Sequence, residues 1–164
     1  MVKKLYLAGG LFNAGERLHN LFLEKYLKDF GYEIILPQRE ATKFFVGENF
    51  DIKGIVKDCQ GSSLSPDNIY IGSADGPDAD SGTCVEYGLA IASTGQAVVY
   101  RTDFRTDLDR EIGVNGMLNL EGTRFIYAPC FFTDLDQVEE YYKNLAYAIH
   151  EAIEALPPRK KEKE

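Results

Sequence analysis

Lys4-Leu-Tyr-Leu-Ala-Gly-Gly10 opens the part of the sequence that decides the fold. Its apolar run ends at two glycines, which is typical of a short buried strand that turns sharply into the next element. Asn13 then begins a segment with apolar residues at helical spacing, which ends at Gly31. The β-rich run Tyr32–Leu36 follows and stops at Pro37. This segment therefore predicts a strand–helix–strand unit whose two strands are parallel.

The rest of the chain continues the alternation of strands and helices. Residues 44–57 are interpreted as a loop and a helix, and Gly61–Pro66 as a segment that breaks secondary structure. The further predicted elements are strands over Asn68–Gly72, Ala97–Tyr100 and Arg124–Ala128, a helix over Thr83–Thr94 capped by Gly95, and a final amphipathic helix that carries Leu135 to Leu156.

Five strands that alternate with helices indicate an α/β fold, namely a doubly wound, flavodoxin-like open parallel sheet of five strands with helices on both faces. We assign residues 1–156 to one domain and residues 157–164 to a charged, disordered tail. Ligands of such sheets bind beyond the carboxyl ends of the strands, so the loops that begin near Gly9, Asp75 and Arg101 are expected to line the site.

Composition and charge exclude several functional classes. The 164 residues include 26 acidic and 18 basic side chains, and the net charge of -8 has the wrong sign for a nucleic-acid partner. No apolar segment approaches the ~20 residues that a membrane span needs. The three cysteines, Cys59, Cys84 and Cys130, are odd in number and widely spaced, which favours a reducing cytoplasmic location over a disulfide framework.

Four carboxylates, Asp75, Asp78, Asp80 and Glu86, cluster where a predicted strand leads into a helix. One interpretation is structural: Thr83-x-x-Glu86 matches a capping box, and aspartates favour a helix N-terminus. A calcium loop is a weaker alternative, because Glu86 is twelfth from Asp75 but the sixth position lacks the required glycine. Nearby glycines, which let a backbone approach a ligand closely, favour a functional site over the purely structural interpretation.

Other chemistries find little support. Gly9-Gly10 is too short for a dinucleotide or triphosphate loop. His19 and His150 lie on predicted amphipathic helices, where a surface or boundary position is expected, so a histidine-assisted nucleophile is not indicated. Carboxylates remain, and they act as nucleophiles at the anomeric carbon of a sugar or as proton shuttles.

The motifs taken together resemble the nucleoside 2-deoxyribosyltransferase family over nearly the whole chain. The specific part is Asp80-Ser-Gly-Thr-x-x-Glu-x-Gly88. The other matching stretches are Leu5–Phe12, Leu36-Pro-Gln38, Lys57-Asp58, Asp75–Ala79 and Asn115-Gly-Met117.

This resemblance implies an enzyme that transfers 2-deoxyribose between free nucleobases in purine and pyrimidine salvage, without a cofactor. It implies Glu86 as the nucleophile, with retained stereochemistry, and Asp58 as the group that supplies a proton to the leaving base. It further implies a homo-oligomer with shared active sites, because a neighbouring subunit supplies the Asn-x-Met element to the sugar pocket. The implied substrate-binding residues are Asp80, Gln38, Gly9, Phe12, Asn115 and Met117.

Two rival functions stay open. Related N-hydrolases cleave 2-deoxynucleoside 5'-monophosphates, but a phosphate is repelled by a carboxylate such as Asp80. Arg101 and Arg105 on the following loop offer cations for a phosphate, although exposed loop arginines are more often simply solvated. A receiver-like sensing module is disfavoured because Ala8-Gly9-Gly10 stands where acidic residues are needed.

Overall fold

A computed structural model describes residues 2–47, 49–105 and 114–159. Its helices are α1 (Ala14–Lys28), α2 (Pro37–Glu40), α3 (Ile52–Leu64), α4 (Ser81–Thr94) and α5 (Asp136–Glu154). Its strands are β1 (Lys4–Ala8), β2 (Glu33–Ile35), β3 (Phe45–Val46), β4 (Asn49–Phe50), β5 (Asn68–Ser73), β6 (Ala97–Arg101) and β7 (Thr123–Tyr127).

Five strands form one parallel sheet in the order β2-β1-β5-β6-β7. From β1 the chain continues to β2 at one edge of the sheet, and from β5 it continues through β6 to β7 at the other edge. The strand order therefore reverses between β1 and β5. This arrangement confirms the predicted α/β fold with an open five-stranded parallel sheet. The carboxyl ends of β1 and β5 therefore meet at the point where ligands of doubly wound sheets bind.

Alternation along the strands builds two separate cores. Leu5 and Leu7 of β1 pack with α1 and α5 on one face of the sheet. Tyr6 and Ala8 of the same strand pack with α4 on the other face. Because successive side chains of a strand point to opposite faces, a strand covered on both sides reads as a continuous apolar run. This is why β1 carries aromatic and aliphatic residues without a polar face.

Several helix ends follow the sequence signals. The Asn13 side chain accepts a hydrogen bond from the Glu16 amide and caps α1. Gly95 ends α4 with φ of 69°, a left-handed conformation that glycine adopts without steric cost. The apolar stripe of α5 packs on the sheet and also on α1, although Leu135 precedes the helix and is exposed.

One local prediction, for Gly61–Pro66, is wrong. Gly61–Pro66 was expected to break secondary structure, but α3 continues through Leu64 and packs against α4. Tertiary packing thus overrides the low helix propensity of Gly61 and its serine neighbours. The segment between α2 and α3 also contains the short antiparallel pair β3–β4, in which Phe45 lies opposite Phe50.

The structure excludes the capping-box interpretation of Thr83 and Glu86. The N-cap of α4 is Asp80, whose carboxylate accepts hydrogen bonds from the Thr83 amide at 2.9 Å and the Thr83 hydroxyl at 3.2 Å. The helix therefore begins at Ser81, and Glu86 is its sixth residue. Glu86 is too far along α4 to cap it, so its carboxylate is free for another partner.

The remaining segments are described only in part. Residues 106–113, within the long polar loop predicted over 101–123, lie outside the described residues, as does 160–164 of the predicted tail. Pro157 and Arg159 contact Gln96, and Arg159 also donates to the Asn68 carbonyl. Within the described ranges, every helix is too short or too polar to cross a membrane.

Candidate active site

Glu86 lies at the edge of the buried face of α4, one turn after Thr83 and one turn before Ala90. This position aims its carboxylate into a cavity of about 380 Å³, hereafter the Glu86 cavity. The volume lies in the range of small-molecule sites, about 300–1,000 Å³. The lining includes Gly9, Leu11 and Phe12 after β1, Pro37 and Ala41, Phe50, Ile55, Val56, Cys59 and Gln60 around α3, and Asp80, Gly82, Thr83, Val85 and Glu86 from α4 and its cap.

Tyr6 holds Glu86 from the sheet side. Its hydroxyl donates a hydrogen bond of 2.8 Å to Oε1 of Glu86. Burial raises the pKa of Tyr6 well above its ordinary value, and the nearby Glu86 charge raises it further. The hydroxyl therefore stays protonated near neutral pH and acts as a donor to the carboxylate.

The carboxyl group of Glu86 titrates near neutrality. Burial raises its pKa from 4.5 to about 7, and the negative charge of Asp80 raises it too, while the Tyr6 hydrogen bond opposes the rise. A carboxyl group is typical of a functional group in a cleft when its pKa lies near neutral pH and it is partly removed from water.

Asp80 has two tasks at the mouth of the cavity. One carboxylate oxygen caps α4 through Thr83, as described above. The side chain also borders a second, more open depression of about 700 Å³, hereafter the aspartate groove. Residues after β1, β5 and β6 line this groove, including Gly10, Asp75, Asp78, Asp80, Thr102, Asp103 and Arg105.

The loops around the aspartate groove are fixed by internal hydrogen bonds. The Asp75 carboxylate accepts from the amides of Thr102 and Asp103 at 2.6 and 2.8 Å. Arg101 is 2% exposed, and its guanidinium donates to the carbonyls of Ala74 and Gly76. The cation is therefore a buried structural link, and it is not the exposed loop arginine that the sequence suggested.

The structure brings four of the predicted site residues together and separates four others. Glu86, Asp80, Gly9 and Phe12 line one cavity. Asp58 is exposed on a different surface of α3, beside Lys57 and Ser62. The three residues that remain, Gln38, Asn115 and Met117, also lie outside the Glu86 cavity of the single chain.

Gln38 is held inside the protein. Its amide oxygen accepts from Asn20 at 3.0 Å, and its amide nitrogen donates to the Arg17 carbonyl at 3.2 Å. Both hydrogen bonds tie the start of α2 to α1. Gln38 thus supports the side of the Glu86 cavity that contains Pro37. Its amide group is already hydrogen-bonded within the protein.

Asn115 and Met117 form an exposed turn. The Asn115 side chain accepts from the Met117 amide at 3.0 Å, and the Met117 side chain is 68% exposed. Leu118, the next residue, is buried in the core beside α4 and anchors the turn. The turn therefore exposes Met117 to solvent while Leu118 attaches it to the core.

Sequence reasoning assigned no role to Tyr6 or Cys59, although both adjoin Glu86. The signal for Tyr6 was present, because it alternates with Leu5 and Leu7 and so points to the face that α4 covers. The signal for Cys59 was hidden, because the orientation of α3 depends on where that helix begins. The prediction gave a loop and a helix over residues 44–57 but did not give the first residue of that helix.

Histidine and metal chemistry gain no support from the described residues. His19 is half-buried between the hydroxyls of Tyr100 and Tyr142, at 2.9 Å from each, and burial lowers its pKa. His150 stacks on Phe30 and contacts the Tyr32 hydroxyl. Across residues 2–47, 49–105 and 114–159, no three His, Cys, Asp or Glu side chains are grouped to hold a metal ion.

Comparison with known families places this geometry in context. The family model described as nucleoside 2-deoxyribosyltransferase matches residues 5–119. The chain belongs to the nucleoside 2-deoxyribosyltransferase family. Its members are glycosyl transferases or N-glycosidases. The matched segment contains every predicted site residue, from Gly9 to Met117.

Solved structures share the fold of this deoxyribosyltransferase-family chain. A conserved protein from Enterococcus faecalis V583 is 23% identical with a TM-score of 0.63, over 88% of this chain and 99% of the other. A CMP N-glycosidase from Clostridium botulinum is 16% identical with a TM-score of 0.56, over 88% and 99%. A 2-deoxyribosyltransferase from Bacillus psychrosaccharolyticus is 22% identical with a TM-score of 0.54, over 87% and 95%. No curated protein sequence matches the chain closely enough to count as a relative.

Proposed function

We propose that this protein transfers 2-deoxyribose between nucleobases by a double displacement in which Glu86 is the nucleophile. The observation that carries the proposal is the Glu86 carboxylate itself, which lies in a largely apolar cavity with its Oε1 bonded to the Tyr6 hydroxyl. A buried carboxylate next to space for a nucleoside suits attack at an anomeric carbon.

The proposed reaction has two steps. In the first, a carboxylate oxygen of Glu86 bonds to the anomeric carbon, the glycosidic C–N bond breaks, and its electron pair leaves with the base nitrogen. In the second, a nitrogen of another base attacks the same carbon, the ester C–O bond breaks to restore Glu86, and the N–H proton of the incoming base passes to the group that protonated the first base. Two inversions give retained stereochemistry. The positive charge that develops on the sugar favours a site with a second carboxylate, which Asp80 provides.

The leaving base needs a proton, and the proposal assigns its delivery to Asp58. In the single chain Asp58 lies outside the Glu86 cavity, with Lys57 and Ser62 on the outer surface of α3. Comparison of Asp58→Asn with the wild type tests the assignment. Loss of exchange activity supports it, whereas unchanged activity assigns proton delivery to another group.

Free nucleosides are the proposed substrates rather than 5'-monophosphates. Asp80 adds negative charge at the cavity mouth, where it already raises the pKa of Glu86. The two nearby arginines are engaged elsewhere: Arg101 binds backbone carbonyls, and Arg105 pairs with Asp103. At ~4 Å each pair of like charges costs about 4 kcal/mol at an effective dielectric of 20. We expect a deoxynucleoside to exceed its 5'-monophosphate at least tenfold in kcat/KM.

Base exchange is the direct test of this function. The protein is incubated with deoxyinosine or thymidine and a different free base, and the products are separated by chromatography. The expected result is a new deoxynucleoside without net release of sugar, and none from Glu86→Ala. Release of free sugar without exchange would identify a hydrolase, and preference for a 5'-monophosphate would favour an N-glycosidase.

A further inference from the structure

The residue of α3 that faces Glu86 is Cys59 and not its neighbour Asp58. Cys59 lines the Glu86 cavity together with Ile55 and Val56, at helical spacing. Asp58 lines a separate surface depression. Successive residues of an α-helix are rotated by about 100°, and this rotation places Asp58 on the other side of the helix edge from Cys59 and Gln60. The orientation of α3 therefore presents a thiol to the proposed nucleophile.

The thiol is in the right protonation state to donate a hydrogen bond. Burial raises the pKa of Cys59 above its ordinary value, so the group is a neutral thiol near pH 7. The thiol lines the same cavity as the Glu86 carboxylate, which already accepts from the Tyr6 hydroxyl. A hydroxyl on β1 and a neutral thiol on α3 thus adjoin the cavity that holds this carboxylate.

The other groups around Glu86 do not provide this support. Asp80, at the start of α4, carries a negative charge that opposes ionisation of Glu86. Tyr70 of β5 is buried and neutral, and its hydroxyl donates to the Thr83 carbonyl at 2.9 Å. Among the described neighbours, Tyr6 and Cys59 are the groups whose interaction favours the charged form of Glu86.

We propose that Cys59 is a positioning residue, whose thiol acts with the Tyr6 hydroxyl to hold the Glu86 carboxylate and to stabilise its charged form inside the cavity. Donors on two different elements fix the direction of the carboxylate as well as its charge. This inference rests on the proposed role of Glu86 as nucleophile.

The test compares three variants in reducing buffer: Cys59→Ala, Cys59→Ser and Cys84→Ala. Cys59→Ala removes the donor, and Cys59→Ser replaces it with a hydroxyl. Cys84→Ala removes a half-buried thiol that lies outside the Glu86 cavity. For each variant kcat/KM for base exchange is measured from pH 5 to pH 9.

We expect Cys59→Ala to lose about threefold to tenfold in kcat/KM at pH 6 and much less at pH 9, because loss of a donor to the charged form raises the pKa of a carboxyl group. Cys59→Ser is expected to restore the profile, and Cys84→Ala to leave it unchanged. Equal loss at every pH, or no restoration by serine, would overturn the proposal.

A second measurement separates this inference from the proposed function. The Glu86 carboxyl is titrated by carbon NMR in the wild type and in Cys59→Ala, with Glu86→Gln to assign the signal. A higher pKa of Glu86 in Cys59→Ala supports the positioning role even if no base exchange is detected. An unchanged pKa contradicts it even if the protein is an active transferase.

Discussion

At the scale of single residues, Glu86 shows how a functional group opposes stability. Its folded-state pKa of about 7 lies above the 4.5 of an ordinary glutamate because the carboxyl is largely removed from water. The folded protein therefore holds the Glu86 proton more tightly than the unfolded chain does. Its contribution to stability is fully present below about pH 4.5 and is lost as the pH rises to about 7.

Glu86→Gln is expected to stabilise the fold at high pH. The amide keeps an oxygen that can accept from Tyr6 but carries no charge to bury. The shift from 4.5 to about 7 corresponds to a gain on the order of 3 kcal/mol at pH 8, and almost none at pH 4. Urea unfolding at both pH values measures this gain.

The exposed Glu151→Gln serves as the matched control for Glu86→Gln, because it also removes one carboxylate. Its free energy of unfolding should change by less than about 0.5 kcal/mol at either pH. If Glu86→Gln is no more stable than the wild type at pH 8, the raised pKa of Glu86 is contradicted.

At the scale of elements, the start of α4 combines a helix cap with a charge at the site. Asp80 accepts from the Thr83 amide, and the same carboxylate borders the Glu86 cavity. Serine also caps helices but carries no charge. Substitutions at Asp80 can therefore separate its structural role from its electrostatic one.

Asp80→Ala is expected to lower the free energy of unfolding by about 0.5–2 kcal/mol, and Asp80→Ser to lower it much less. Both variants remove the charge, so both should shift the kcat/KM ratio of a deoxynucleoside over its 5'-monophosphate toward the monophosphate. The ratio is measured at low ionic strength, where charges are least screened. A ratio unaffected by Asp80→Ser would show that Asp80 does not discriminate against phosphate.

The loop between β5 and α4 depends on β6 for its shape. Arg101 ends β6, and its fork of donors binds two carbonyls of that loop, Ala74 and Gly76. Gly76 has φ of 108°, a conformation that side chains disfavour. The position of Asp80 therefore relies on hydrogen bonds from a neighbouring strand.

Arg101→Lys is expected to destabilise the protein by about 1–3 kcal/mol, because an ammonium group cannot reproduce the planar fork and leaves a buried carbonyl unpaired. Arg105→Lys is the control, since that side chain is exposed and should cost less than about 0.5 kcal/mol. Thermal unfolding compares the two. Equal midpoints for both variants would contradict a structural role for Arg101.

At the scale of the whole molecule, the described chain leaves its proposed site open on one side. Phe12 at the cavity and Met117 on its outward turn are 78% and 68% exposed. The resemblance to the family implies that a neighbouring subunit supplies the Asn-x-Met element to the site. We therefore expect an oligomer in which each Asn115–Met117 turn completes the site of a neighbour.

Mixing two inactive variants tests this assembly. Glu86→Ala lacks the nucleophile, and Asn115→Ala lacks the contributed turn residue. After subunit exchange, some sites contain an intact copy of both residues, so partial activity should return. Subunits labelled with two fluorophores report whether exchange has occurred. Exchange without any recovery of activity would indicate that each site is built within one chain.

Local pattern in the sequence was sufficient for the sheet and for the principal carboxylates. The apolar runs of β1, β5 and β6 are buried on both faces, so each strand is visible without knowledge of its neighbours. Glu86 and Asp80 were predicted from a dense local motif, and the structure places both at one cavity. Asp80 and Glu86 are six residues apart, at the cap and in the second turn of the same helix. Predicting that they lie close together therefore requires no long-range information.

Only the tertiary structure decided which other side chains surround Glu86. Tyr6 reaches it from a strand, and Cys59 from a helix whose start at Ile52 the sequence left ambiguous. A shift of one residue turns a helix by about 100°, and this rotation separates Asp58 from Cys59. The cap at Asp80 likewise emerged only with the true first residue of α4. Contacts between distant segments depend on such helix rotations. These rotations are fixed by packing against the sheet, and the local sequence pattern does not determine them.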